Sequence, residues 1–181
     1  LAPQGHRGAD AGFGNIGQAV ARMGIGLGMY IMPFKLRAED VKIEIDFFKT
    51  LTNANLVLTM KCVPFEKLLA ESDFITLHVP FPKGAPPIIG KREFEQMKKG
   101  AMSVNTARGG AVNENDLLEA LNNGKVAAAG LDVFEGEPIM KEEIRKHPRI
   151  SLSPHIGGST MEAQERIGIE IAEKIVAHFK A

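Results

Sequence analysis

Three segments of this chain carry side chains that could do acid–base and anion chemistry. They are Asn105-Thr106-Ala107-Arg108-Gly109-Gly110, Gly130-Leu131-Asp132-Val133-Phe134-Glu135-Gly136-Glu137-Pro138, and Ser153-Pro154-His155-Ile156-Gly157-Gly158-Ser159-Thr160. An imidazole titrates near neutral pH, so His155 could take a proton as a general base. A carboxylate at Glu137 could accept a hydrogen bond from one ring nitrogen, which orients the ring and favours its charged form. Arg108 offers a planar fork of donors to a carboxylate or a developing oxyanion. Taken singly, an Arg or a Glu is an ordinary surface charge, and His155 an ordinary loop histidine. Each segment, however, follows a short apolar run that reads as a strand. Ligand sites in open α/β sheets lie at the carboxyl ends of strands, so the three residues can converge despite their separation in sequence.

A fourth segment, Gly12-Phe13-Gly14-Asn15-Ile16-Gly17, has the spacing G-x-G-x-x-G. In a strand–turn–helix unit the first glycine makes the turn, and the second lets backbone approach a pyrophosphate. The third lets the helix pack closely on the strand. The helix that follows offers free N–H groups and a positive dipole end to phosphates. Alone the spacing is weak, because a Gly-rich loop without a ligand shares it. Arg7-Gly8-Ala9-Asp10-Ala11 makes a poor buried first strand. The acid expected about 20 residues on, to hold the adenosine ribose, is missing, since that neighbourhood reads Tyr30-Ile31-Met32-Pro33-Phe34. Lys35 and Arg37 follow; they suit a 2′-phosphate or are plain surface cations.

The elements that must position these residues alternate along the chain. Residues 56–60, 73–79, 101–105, 126–131 and 150–152 are short apolar runs, as in strands buried on both faces of a parallel sheet. Helical patterns lie at 15–24, 38–50, 64–71, 91–99, 114–122 and 159–179. This alternation predicts an α/β fold. Asn113 is placed to cap 114–122, and Gly124 to end it in a left-handed conformation. Ser159 with Glu162 predicts a capping box, and Ile167, Ile171, Ile175 and Phe179 an apolar face on the last helix.

Composition narrows the function classes. The chain has 181 residues, with 22 Lys+Arg against 22 Asp+Glu and no net charge. That balance argues against the broad basic field of a non-specific nucleic-acid binder. No apolar stretch approaches the span of a bilayer, and the first residues lack a signal-peptide core. One cysteine, Cys62, cannot form an internal disulfide; it reads as inert, and the chain as a protein of the reducing cytoplasm. No metal-binding spacing is evident. His78 ends a strand and reads as a local hydrogen-bonding residue, not a catalytic one.

Together the four segments, with His78-Val79-Pro80 and Met97-Lys98-Lys99-Gly100, resemble the NAD-binding domain of the D-isomer-specific 2-hydroxyacid dehydrogenases. The resemblance runs from about Gly12 to the C-terminus. Within the family, residues 154–160 with Glu162-Ala163-Gln164 and the long helix are most similar to the branch that oxidises 3-phospho-D-glycerate in phosphorylated serine biosynthesis. The resemblance implies a Rossmann-like, doubly wound parallel sheet, with residues 1–181 as one dinucleotide-binding domain. It implies NAD as cofactor, NADP being admitted by the missing acid. It also implies a small 2-hydroxy acid as substrate, a homodimer, and no nucleic-acid or membrane partner. Arg108, Glu137 and His155 take the catalytic roles. Gly12, Gly14, Asn15, Ile16 and Gly17 form the pyrophosphate turn, and Val79 and Pro80 lie near the adenosine. Thr106, Ala107 and Asp132 border the nicotinamide, with Arg108, His155 and Gly157 close by. The second, substrate-binding lobe of the family is expected to be absent from this sequence. Two other readings share the fold: a dehydrogenase for another D-2-hydroxy acid (D-lactate, or glycerate and glyoxylate), and a non-catalytic dinucleotide-sensing module.

Overall fold

The computed structural model describes residues 4–37, 39–45 and 54–180. In chain order the first elements are β1 (Arg7–Ala11), α1 (Asn15–Gly26), β2 (Tyr30–Phe34), β3 (Val41–Ile45), β4 (Leu56–Met60), α2 (Phe65–Glu71) and β5 (Phe74–Leu77). There follow α3 (Lys91–Gln96), β6 (Ala101–Asn105), α4 (Glu114–Asn122), β7 (Val126–Leu131), α5 (Glu142–Lys146), β8 (Ile150–Leu152) and α6 (Met161–Lys180). Six strands pair in parallel in the order β2-β1-β5-β6-β7-β8. The chain winds outward from β1 to β2 on one side and from β5 to β8 on the other. The winding direction thus reverses between β1 and β5, whose carboxyl ends flank the crevice where open α/β sheets bind ligands. This is the expected Rossmann-like, doubly wound sheet.

The core forms because the central strands bury alternate apolar side chains under helices. Ile75 and Leu77 of β5, with Ala9 and Ala11 of β1, join Leu68 and Leu69 of α2, Phe94 of α3, and Leu117 and Leu121 of α4 in one buried cluster. Asn113 caps α4 as expected, its side chain accepting from the N–H groups of Asn115 and Asp116 at 3.0 Å each. Gly124 follows in the left-handed region at φ 75°.

Four expectations are corrected. Residues 7–11, poor by hydrophobicity, form a fully paired interior strand. It pairs in parallel with β2 on one side and β5 on the other, and backbone pairing needs no large apolar side chains. The helix expected over 38–50 is replaced at 41–45 by β3; the rest of that span, apart from 39 and 40, lies outside the described residues. The sequence Val-Lys-Ile-Glu-Ile alternates with period two, and Ile43 and Ile45 are buried beside Phe13 and Ala21. Residues 56–60 do form a strand, but it pairs antiparallel with β3 outside the main sheet. The last helix starts at Met161, and its cap is Thr160, whose Oγ1 accepts from the Ala163 N–H at 3.1 Å, so the Ser159–Glu162 box does not form. Its four-residue apolar spacing stands, but Ile167, Ile171, Ile175 and Phe179 are all exposed.

The interior position of β1 places Asp10 at 2% exposure, with Oδ2 unpartnered and Oδ1 4.0 Å from His78 Nε2. Burial pushes the Asp10 carboxyl up to about 7, because desolvation disfavours the charged form. It also holds the neighbouring imidazole of His78 below its ordinary value. The folded chain therefore keeps the Asp10 proton where the unfolded chain has lost it. The contribution of Asp10 to stability is full below pH 4, falls as pH rises toward 7, and levels above that. Asp10→Asn removes this loss. Its advantage in Tm over the parent is expected to widen between pH 4 and pH 7 by several degrees and then stay constant. Thermal melts across that range check it, and a gap that does not change with pH contradicts it.

Candidate active site

The turn after β1 is shaped by contacts that only small residues permit. Gly12 sits at φ 106°, and a Cβ there would lie 2.6 Å from the His78 carbonyl carbon. The end of β1 is thereby pressed against the end of β5, as the crevice requires. A Cβ on Gly17 would meet the Gly12 carbonyl oxygen at 2.5 Å, so the third glycine makes room for the turn itself. The Gly12 and Phe13 N–H groups both donate to the Phe34 carbonyl at 3.1 Å, tying the turn to β2. Gly14, the residue before α1, has open space where a side chain would stand, and no side chain caps the helix. Asn15 and Ile16 are exposed at this uncapped, positive end. An open cradle with free donors and no competing cap fits a pyrophosphate. Beyond β2 come Lys35, Leu36 and Arg37, and the ribose end of the crevice carries no acid where the motif expects one.

The other side of the crevice is built from strand ends. After β5 the chain runs through His78, Val79 and Pro80. His78 shares hydrogen bonds with Thr76 Oγ1 through Nε2 and with Thr106 Oγ1 through Nδ1, both at 3.0 Å. It is thus a local strut, as expected, and it fixes the Thr106 hydroxyl at the exposed end of β6. Ala107 is buried, its N–H donating to Asn105 Oδ1 at 3.1 Å.

At the ends of β7 and β8 the structure brings Glu137 and His155 together. His155 Nδ1 lies 3.1 Å from Glu137 Oε2. The other carboxylate oxygen, Oε1, accepts the Phe134 N–H at 2.9 Å. Desolvation, the largest single influence, raises the Glu137 carboxyl, but the Phe134 amide and the His155 ring together outweigh it and hold the group below its ordinary value. No hydrogen bond to His155 Nε2 is formed among the described residues, so that nitrogen is open to a ligand.

What sequence reading missed is how His155 is held. It is the one non-glycine with positive φ among the described residues, at 52°. That conformation costs about 1–2 kcal/mol for a residue with a Cβ. Asp132 offsets the cost: its Oδ1 accepts the His155 N–H at 3.0 Å and the Ser153 hydroxyl at 2.5 Å. Asp132 was expected at the nicotinamide; what the structure shows for it is this structural bond. Gly157 follows on the open side, with nothing near its Cβ position.

Arg108 does not reach this pair. Its guanidinium turns back, Nη1 donating to the Ala107 carbonyl at 2.6 Å. It lines a cleft of about 690 Å³ with Phe81, Lys83, Phe134 and Glu137, while His155 lines an adjoining cleft of about 470 Å³ with Glu137 and Leu152. Glu137 therefore stands between the cation and the imidazole, and a ligand bridging the clefts would meet all three. Cys62 is pushed up by burial, and its thiol donates to the Glu39 carbonyl at 3.2 Å, as an inert thiol would.

The family model described as the D-isomer specific 2-hydroxyacid dehydrogenase, NAD binding domain, matches residues 4–157. A hydroxypyruvate reductase of Thermotoga maritima is 44% identical over 167 residues, covering 91% of this chain and 50% of that protein. A D-3-phosphoglycerate dehydrogenase of Archaeoglobus fulgidus is 43% identical over 171 residues, covering 91% of this chain and 29% of that protein. Among solved structures, a glyoxylate reductase from Paecilomyes thermophila aligns with a TM-score of 0.76 at 35% identity, over 93% of this chain and 48% of that one. The chain thus spans half or less of the length of these relatives. The lack of an acid directly after β2 carries a measurable consequence. Fluorescence titration is expected to show NADH binding, with NADPH weaker by less than about tenfold, since Lys35 and Arg37 stand where the motif places a carboxylate. A preference for NADH above a hundredfold contradicts this.

Proposed function

This chain belongs to the D-isomer-specific 2-hydroxyacid dehydrogenases as their NAD-binding domain, and we propose that the protein containing it interconverts a small D-2-hydroxy acid and its 2-oxo acid. The observation that carries this reading is the 3.1 Å contact between His155 Nδ1 and Glu137 Oε2, with Nε2 left open. In the oxidising direction His155 Nε2 takes the substrate hydroxyl proton. Glu137 receives the Nδ1–H bond, fixes the tautomer and stabilises the imidazolium that forms. Arg108, swung from the Ala107 carbonyl, pairs with the substrate carboxylate through its fork. When bound, NAD would supply the acceptor for the hydride that leaves the hydroxyl-bearing carbon. The turn at Gly12, Gly14 and Gly17, with Asn15 and Ile16 at the helix end, would hold its pyrophosphate. Val79 and Pro80 would flank the adenosine, and Thr106, Ala107, Asp132 and Gly157 the nicotinamide. An open, carboxylate-backed imidazole is what proton transfer to and from a substrate needs.

For the substrate we put forward 3-phospho-D-glycerate, on the sequence from Pro154 to Gln164, which would place the protein at the start of phosphorylated serine synthesis. Glyoxylate or hydroxypyruvate is the second reading, favoured by a relative of 44% identity that reduces hydroxypyruvate by its name. We further propose a cytoplasmic homodimer.

Two measurements on the full-length protein test this. Replacing His155 with Asn is expected to lower kcat by about 10²–10⁴ while NADH binding persists; unchanged turnover would sink the role of His155. A comparison of kcat/KM with NADH across the 2-oxo acids 3-phosphohydroxypyruvate, glyoxylate, hydroxypyruvate and pyruvate is expected to favour the first. A higher value for glyoxylate or hydroxypyruvate moves the substrate to the second reading.

A further inference from the structure

The loop that presents Glu137 leaves β7 and returns to α5 without regular structure of its own, yet Glu137 must be held to a fraction of an ångström to meet His155. Its neighbour Glu135 is gripped from outside the loop. The Glu135 N–H donates to Glu114 Oε1 at 2.7 Å, and the Glu114 N–H donates back to Glu135 Oε1 at 3.3 Å. Glu114 opens α4 and is 3% exposed, which is unusual for a carboxylate. Lys141, at the end of the same loop, puts Nζ 3.4 Å from Glu114 Oε2 and 2.8 Å from Glu135 Oε2, and donates to Asn115 Oδ1 at 3.3 Å. The gripped peptide is also packed from another direction, since a Cβ on Gly109 would lie 1.9 Å from the Phe134 carbonyl oxygen. That carbonyl belongs to the peptide whose N–H Glu114 holds, and Phe134's own N–H is the donor that fixes Glu137 Oε1.

We propose that Glu114 is a positioning residue for the His155–Glu137 pair, acting through the Phe134–Glu135 backbone, with Lys141 as its counter-ion. The inference rests on the reading of that pair given above. Burial raises the Glu114 carboxyl; the Glu135 amide and Lys141 pull the other way, while the Glu135 carboxylate adds to the rise. A group so costly to bury is tolerated because Oε1 accepts a loop amide while Oε2, which has no hydrogen bond among the described residues, faces the Lys141 ammonium at 3.4 Å. The reciprocal pair of bonds spans 21 residues of sequence, so it fixes the loop to α4 and not merely to itself. The same packing at Gly109 ties the clamp to the loop of Arg108.

The test is the tautomer of the neutral His155 ring in this chain, read from its ring nitrogen shifts, the signals being assigned by their loss in His155→Asn. The groups facing that residue are Glu137 at Nδ1 and Asp132 at the backbone N–H. Glu137→Ala is expected to move the ring from the Nδ1-protonated toward the Nε2-protonated form, by loss of the acceptor at Nδ1. Glu114→Ala is expected to produce at least about half of that change by loosening Glu137, although it touches neither ring nor carboxylate. Glu114→Gln retains an acceptor for the Glu135 N–H and is expected to stay near the parent. In the Glu137→Ala background Glu114→Ala should add nothing. A tautomer ratio that responds to Glu137→Ala but not to Glu114→Ala overturns the positioning role alone. A further change in the double variant also overturns it. If Glu137→Ala has no effect, the reading of the pair itself fails. Should Glu114→Ala not fold, the scalar coupling across the hydrogen bond from the Glu135 amide nitrogen to the Glu114 carboxyl carbon, read in the unmodified chain, decides the matter; its absence overturns the proposal.

Discussion

Everything chemical in this chain depends on one contact, the imidazole of His155 against the carboxylate of Glu137. The two lie 18 residues apart on loops that leave adjacent parallel strands, and they meet at 3.1 Å. Neither loop is rigid by composition. His155 adopts a backbone conformation that disfavours it, and Glu137 is on a segment without regular structure. The contact exists because each partner is held by backbone-directed bonds: Asp132 on the His155 amide, the Phe134 amide on Glu137. A half-exposed ion pair by itself contributes little. Its value here lies in orientation, since it leaves Nε2 as the ring nitrogen facing the cleft.

The sheet supplies the setting. Its winding reverses between β1 and β5, and the phosphate turn, the strut of His78 and Thr106, and the His155–Glu137 pair all stand at carboxyl ends of its strands. β1 is the weak member. It is central, yet built from Gly, Ala and a buried Asp10, and its place rests on backbone pairing with β2 and β5. The stability lost to Asp10 near neutral pH is thus a local conflict that the parallel pairing on both sides of β1 overrides. Pro33 in β2 raises no such conflict, because β2 is an edge strand and needs ladder donors on one side only.

Much of this was legible in the residues. Short apolar runs followed by Arg108, Glu137 and His155 pointed to the strands and to the meeting of Glu137 with His155, because parallel strands put their carboxyl ends on one side. The cap at Asn113 and the left-handed Gly124 follow from local chemistry and were read correctly. The failures have physical causes. β1 looked poor because hydrophobicity, and not backbone pairing, was weighed. The period-two pattern at Val41–Ile45 was submerged in a longer stretch that also fits a helix. The cap of α6 moved by one residue, since both Ser159 and Thr160 carry a hydroxyl and spacing alone does not choose between them. The bond from Asp132 to the His155 amide, the reciprocal grip of Glu114 and Glu135, and the retreat of Arg108 onto the Ala107 carbonyl depend on loop geometry, for which no periodicity exists. One signal was available: an acid at position 114, in the first turn of a helix whose buried face it shares.

The most direct test of this pairing is the tautomer of the neutral His155 ring, read from its nitrogen shifts in this chain at alkaline pH. A proton is expected on Nδ1, donated to Glu137, with a bare Nε2 able to accept one from a substrate hydroxyl. A ring protonated on Nε2, with Nδ1 bare, would mean that Glu137 does not orient His155, and would contradict it.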